Sequence, residues 1–200
     1  MTKPTFLIVG ASLAGAKAAE ELRAQGFDGR VMLIGAEPEL PYERPPLTKD
    51  YLRGESERAQ AHVHPDGFYA QQEIELETGR QVMAIEPGTS RVRLDDGREL
   101  GYDRLLLATG AEPRRLDVPG ADLDGVHYLR TLADCDLLRA RLDAGGRVVT
   151  VGAGWIGSEF AASARQRGLE VTVVDPQPLP NERIFGREIG TFYRDVHGQH

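Results

Sequence analysis

Cysteine is nearly absent: Cys135 is the single one in 200 residues. This excludes an internal disulfide and any redox centre built on a cysteine pair, and it makes a reducing cytoplasm the expected setting. No apolar run reaches the roughly 18 residues that a membrane-spanning helix needs, so no transmembrane segment is expected. Positive charge is in deficit. A net charge of −7 argues against a nucleic-acid surface. Lysine is scarcer still, with only Lys3, Lys17 and Lys49 among 24 basic residues. What remains is ordinary for one or two globular domains, 40% apolar and 28% charged. The opening "KPTFLIVGASLAGA" has the outline of a signal peptide, but it carries informative glycines that cleavage would remove, so it is read as part of the fold.

The pattern along the chain is α/β. Phe6 to Val9 is a short apolar run ending at Gly10, which reads as a buried parallel strand. Leu13 to Gln25 has helical spacing, and Arg30 to Gly35 is a second buried strand, completing a β-α-β unit. A helix-poor region follows the proline-rich segment Pro41 to Leu52. Strands are expected at Ile74 to Glu77, Val82 to Ile85 and Arg91 to Leu94, with a hairpin turn at Asp95 to Gly97, as a β-meander inserted before a third parallel strand at Arg104 to Ala108. Pro113 to Gly125 reads as a linker. A helix over Leu132 to Leu142, a strand over Arg147 to Val151, a helix over Trp155 to Arg167 and a strand over Val171 to Val174 open a second β-α-β unit. The fold class is therefore two Rossmann-like dinucleotide-binding units, residues 1–110 and 111–200, with a β-meander insertion and the C-terminal part missing.

Each unit opens on a glycine turn. "GASLAG" (Gly10 to Gly15) departs from the G-x-G-x-x-G fingerprint at its middle position, where Ser12 stands. A serine there is small, and its hydroxyl can donate to phosphate. Glu37 ends the second strand, 22 positions beyond Gly15, where a carboxylate accepts from ribose hydroxyls. "GAGWIG" (Gly152 to Gly157) matches the fingerprint in full, with Asp175 placed 18 positions beyond Gly157. An acid at that point repels a 2′-phosphate and favours NADH over NADPH. Two fingerprints imply two dinucleotides, most economically a held flavin and a visiting nicotinamide. Spacing does not say which half holds which.

Between the second strand and the meander lies "PYERPPLTKDYL", Pro41 to Leu52, with three prolines after Pro38, Pro41 included. Proline removes backbone donors and resists regular helix, so an extended arm is expected, setting Arg44 and Lys49 at fixed places. His62 and His64 alternate on one side of a chain with no third ligand in view, and both are expected at the surface. Cys135 is expected to be a packed helix residue.

Together, "GASLAG", "YERPPLTK", "LLLATGAEPR" and "GAGWIGSE" resemble the FAD-dependent NADH:ferredoxin reductases, within the pyridine nucleotide-disulfide oxidoreductase superfamily, that supply oxygenases and cytochromes P450. The resemblance covers the whole chain. It implies that Gly10, Ser12, Leu13, Ala14, Gly15 and Glu37 bind the ADP half of FAD, and that Val82 contacts its adenine side through the backbone. Ala108, Thr109 and Gly110 would close over the pyrophosphate region, and Arg130 would be a further FAD contact. Arg44 and Pro45 would lie along the flavin with Lys49 at its N5 edge, where an ammonium stabilises charge that develops as hydride arrives. Gly152, Gly154, Trp155, Ile156, Gly157 and Asp175 would hold NADH. Glu159 would pair with Lys49, bridging the two domains, and Trp155 would be either an aromatic gate over the flavin or core packing. The catalytic set is thus Lys49, Glu159 and Trp155, with FAD and NAD as cofactors and no metal. Disulfide, peroxide and coenzyme A-disulfide reductases of this superfold need cysteine near the flavin, and none lies between Pro45 and Leu47. Electrons are therefore expected to pass from flavin to a [2Fe-2S] ferredoxin, with rubredoxin or another flavin-only NADH oxidoreductase as the alternative, and a non-catalytic nucleotide-binding module as the reading from outside enzymology. No nucleic acid or membrane partner is expected. The chain is expected to be a piece of a longer reductase that alone binds FAD poorly.

Overall fold

A strand with buried side chains on both faces must be covered on both, and Thr5–Val9 and Arg30–Ile34 are such strands. The computed structural model describes residues 3–199. Its elements run β1 (Thr5–Val9), α1 (Leu13–Ala24), β2 (Arg30–Ile34), α2 (Asp50–Arg53), α3 (Phe68–Gln71), β3 (Ile74–Glu77), β4 (Val82–Glu86), β5 (Arg91–Leu94), β6 (Glu99–Gly101) and β7 (Arg104–Leu107). There follow α4 (Leu132–Asp143), β8 (Arg147–Val151), α5 (Trp155–Gln166), β9 (Glu170–Val174) and α6 (Glu182–Gly198). The chain divides into two compact units. The first is residues up to Glu43 with Ala61–Glu112, and the second is Arg44–Gln60 with Pro113 onward.

In the first unit the strand order is β3-β2-β1-β7, all parallel, with Val9 opposite Ile34 on one side and Leu107 on the other. Side chains alternate between the two faces. Ile8, Val31 and Leu33 pack with Ala16 and Ala19 of α1 and Tyr69 of α3. Leu7, Val9, Met32 and Ile34 pack against Val92 and Leu94 of the antiparallel meander β4-β5-β6. Each fully buried aliphatic side chain here contributes about 1.5–3 kcal/mol. The small residues of α1 let the helix lie close to the sheet. In the second unit β8 and β9 form a two-stranded parallel sheet, Val148 opposite Val171, with α5 between them in sequence.

Several expectations change. Ile74–Glu77 joins the parallel sheet beside β2 rather than the meander, whose third strand is β6. The proline segment is not extended. Pro45–Thr48 forms a 3-10 turn with proline at its first positions, where the missing N–H is not needed, and α2 follows. His64 is buried, stacked on Phe68 at 3.8 Å between ring centroids, with Nε2 3.2 Å from Glu20, and the His62 side chain is only 11% exposed, so neither is a surface residue. Among the described residues no group of three His, Cys, Asp or Glu side chains could hold a metal, and no helix is long and apolar enough to cross a membrane. Helix α6 was not expected. Its apolar residues have helical spacing, but Gly186 (φ 80°, ψ 177°) kinks it.

Candidate active site

The two glycine turns are built alike. The amide of Gly10 donates to the carbonyl of Ile34 at 2.8 Å, and that of Gly152 to Val174 at 2.7 Å, so each turn leaves its strand from the last ladder bond. Gly10 (φ 114°) and Gly152 (φ 106°) both need the left-handed backbone. A Cβ on Gly15 would stand 2.0 Å from the carbonyl oxygen of Gly10, and one on Gly157 would stand 1.9 Å from that of Gly152. The middle positions also correspond, since Ser12 (φ −122°, ψ −164°) and Gly154 (φ −78°, ψ −170°) are the extended N-caps of α1 and α5. Serine therefore fits the first turn without backbone strain.

Neither α1 nor α5 has a side-chain cap, whereas α4 carries a complete capping box between Thr131 and Asp134. First-turn amides have no intrahelical acceptor. At α1 and α5 they are open to an anionic ligand such as a pyrophosphate, which suits the group that the fingerprint implies. Leu13, Ala14 and Ile156 lie in these first turns, Leu13, Ala14 and Ile156 being exposed.

In the first unit the "ATG" segment abuts the first turn, because a Cβ on Gly10 would meet Ala108 O at 2.1 Å and Thr109 N at 2.9 Å. Gly110 (φ 72°) turns the chain away from β7. Glu37 accepts a 2.5 Å hydrogen bond from the hydroxyl of buried Tyr42, a residue that sequence reasoning missed although it sits inside the "YERPP" stretch. Val82 opens β4 and packs beneath the sheet with Val92 and Leu94.

In the second unit Lys49 Nζ donates to Glu159 Oε2 at 2.6 Å, and Thr48 Oγ1 donates to the same oxygen at 2.5 Å. The pair lies within one unit and does not bridge two, because Arg44–Gln60 packs with Pro113 onward. Burial pushes the Glu159 carboxyl up, but the hydrogen bonds from Lys49 and Thr48 and the lysine charge together hold it below its ordinary value. The carboxylate is thus charged at neutral pH, and the pair is lost only as pH falls through that depressed value. With side chains 42% and 34% exposed, the pair is screened by water and adds little stability, so it serves to place charge. Thr48 was missed by sequence reasoning, and its only signal is its place before Lys49.

Arg44 Nη1 donates to the Arg130 carbonyl, joining two of the expected flavin contacts. Pro45 begins the 3-10 turn. The Nε of Arg130 is buried without a hydrogen-bond acceptor, as expected of a donor that awaits a ligand. Asp175 accepts from the amides of Ala153 (2.7 Å) and Gln177 (2.7 Å), so it braces the second glycine turn from below. Trp155 is 47% exposed and edge-on to Phe185 (5.3 Å) and Tyr193 (6.4 Å) of α6.

Cys135 is fully buried, its Sγ donating to the Leu47 carbonyl at 3.4 Å, and burial chiefly, with Asp136 and Asp134, pushes its thiol up to about 12. Thiol reagents at mild alkaline pH should therefore modify the native protein at least about 100-fold more slowly than the urea-unfolded chain, measured by labelling kinetics. Equal rates would contradict the packing.

The pattern of the pyridine nucleotide-disulphide oxidoreductase family matches residues 4–200. Rhodocoxin reductase of Rhodococcus erythropolis is 40% identical over 98% of this chain and 46% of its own. The ferredoxin–NAD(+) reductase component of the anthranilate 1,2-dioxygenase system of Burkholderia cepacia is 43% identical over 100% of this chain and 49% of its own. The crystal structure of the covalent putidaredoxin reductase–putidaredoxin complex superposes with a TM-score of 0.93 at 38% identity, covering 100% of this chain and 48% of that one. The chain spans about half the length of the relatives it matches. It belongs to the pyridine nucleotide-disulphide oxidoreductase family.

Proposed function

We propose that this chain is the dinucleotide-binding part of an FAD-dependent NADH:ferredoxin reductase, with FAD on the first glycine turn and NADH on the second. The observation that carries it is the Lys49–Glu159 pair, set one turn into the helix that starts at the complete fingerprint. The first unit, residues up to Glu43 with Ala61–Glu112, would supply the first FAD-binding segment, and the second, Arg44–Gln60 with Pro113 onward, the first part of the NAD-binding domain. When bound, FAD takes two electrons as hydride from NADH and returns them singly. The chain contributes the rest: the open amides of Leu13 and Ala14 hold the pyrophosphate, Glu37 holds ribose, and Arg44 and Arg130 supply donors to the flavin. Lys49 offers positive charge where the reduced ring becomes anionic, and Glu159 keeps that ammonium in place.

The family name includes disulphide, but the sole thiol is buried and has no cysteine partner. Bound flavin would pass its electrons to an external one-electron carrier, and the acceptor proposed is a ferredoxin, the partner that the reductase components' names give, of [2Fe-2S] type. The test is steady-state NADH oxidation by the flavin-loaded protein with ferredoxin, rubredoxin or oxygen as sole acceptor. Ferredoxin-dependent turnover well above the other two supports the proposal, and turnover with oxygen alone overturns it.

Asp175 sets coenzyme choice. Asp175→Ala should shrink the NADH-over-NADPH ratio of kcat/KM about tenfold by removing repulsion of the 2′-phosphate. It should also loosen the turn it braces, and an unchanged ratio would remove Asp175 from specificity. Trp155 is the gate, and it is also the only tryptophan, so its emission should change when NADH binds. Trp155→Ala should alter the flavin-reduction rate or NADH affinity. If both stay at wild-type values, Trp155 only packs.

A further inference from the structure

Helix α5 bears polar residues at four-residue spacing, Glu159 and Ser163, with Arg167 just past its end, and such spacing puts them on one face. All three bond the segment that carries Lys49. Glu159 takes the Thr48 hydroxyl and the Lys49 ammonium. One turn on, Ser163 Oγ donates to the Thr48 carbonyl at 2.6 Å and lies 3.3 Å from Arg53 Nη1. Further along, Arg167 Nη1 donates to the Leu52 carbonyl at 2.8 Å. From the other side α4 holds the same segment, with Tyr51 donating to Asp136 at 2.6 Å. Thr48 and Ser163 are both buried.

A helical serine ordinarily bonds the carbonyl four residues back in its own helix. Ser163 instead reaches out of α5 to the carbonyl immediately before Lys49. That peptide is the joint between the 3-10 turn and α2, where the Lys49 backbone (φ −124°, ψ −123°) is neither helical nor extended. Within the segment the Lys49 amide donates to the Pro46 carbonyl at 3.1 Å and the Arg53 amide to the Lys49 carbonyl at 2.9 Å, while the Thr48 carbonyl is held from α5 by Ser163.

We propose that Ser163 is a positioning residue: through the Thr48 carbonyl it sets the height at which Lys49 meets Glu159, and so ties the lysine to the helix that begins at the second glycine turn. This rests on the reading of Lys49 as the charge offered to flavin. Misplacing a reacting-site group by an ångström lowers rate steeply without lost contact to substrate.

The test uses the flavin-loaded protein and two readouts. One is the limiting rate of flavin reduction in rapid mixing with NADH. The other, read without NADH, is the titration of the Glu159 carboxyl by carbon-13 NMR, assigned with Glu159→Gln. Ser163→Ala should lower the limiting rate about tenfold. The NADH concentration for half-maximal rate should stay within about twofold, the split that marks a lost transition-state interaction. The Glu159 titration should move upward as the pair loosens. The isosteric variants Ser163→Thr and Ser163→Val separate hydroxyl from volume, and threonine should keep both readouts near wild type while valine loses both. Wild-type rate and titration in the alanine and valine variants overturns the proposal, as does equal impairment of threonine and valine. A wild-type flavin that NADH does not bleach counts against the reductase reading alone, and the Glu159 titration then decides the positioning by itself.

Discussion

Lys49→Met should slow reduction of the bound flavin by NADH about 100-fold, the loss typical when one preorganised charge is removed from a reacting site. Methionine keeps an unbranched side chain one atom shorter and removes the ammonium. The fold should survive, because the Lys49–Glu159 pair is partly exposed and adds little stability. NADH affinity should hold, since the second glycine turn is untouched. Glu159 would lose its largest source of stabilisation and titrate higher, while Thr48 still donates to it. Lys17→Met is the control. It removes an equal charge from an exposed helical pair with Glu20 and should leave the rate unchanged. Rapid-mixing absorbance of the flavin band measures both variants, and equal rates for both would deny Lys49 its role.

Gly10→Ala should abolish flavin binding and destabilise the first unit by about 3 kcal/mol or more, from left-handed backbone strain together with overpacking. The new Cβ would stand 2.1 Å from the Ala108 carbonyl oxygen, where only backbone can give way. Gly154→Ala is the contrasting case. Its φ of −78° is ordinary and its Cβ would meet nothing within 4 Å. Stability should change by no more than about 0.5 kcal/mol. NADH affinity should fall, because the added methyl occupies the space through which the pyrophosphate approaches the backbone. Denaturant midpoints and ligand titrations separate the two glycines. A flavin-replete Gly10→Ala protein would contradict the first-turn geometry.

The parallel strands and the helices at the glycine turns were legible because their signals are local. Apolar runs stop at Gly10 and Gly152, and small residues follow at helical spacing. Ile74–Glu77 reads as a strand from its own residues, which do not say which strand it pairs with. Its true neighbour is β2, with Glu75 paired to Arg30 at 2.6 Å, a contact between residues far apart in sequence. The proline segment reads as extended because proline resists helix interiors, yet Pro45 and Pro46 sit where a 3-10 turn needs no donor. Its packing with the second unit, and hence the location of the Lys49–Glu159 pair within one unit, is tertiary information that no local pattern holds. The burial of His64 escapes the sequence for a similar reason. His64 is covered by Phe68, Tyr69 and Glu20, and alternation in "HVH" gives no hint of that cover.

On the proposed reading, this chain helps to hold a flavin that accepts hydride from NADH. The most direct test is the visible spectrum of the flavin-loaded protein under anaerobic titration with NADH. The flavin band should bleach with one equivalent, and added ferredoxin should restore it. A flavin band that NADH leaves unchanged would contradict this reading.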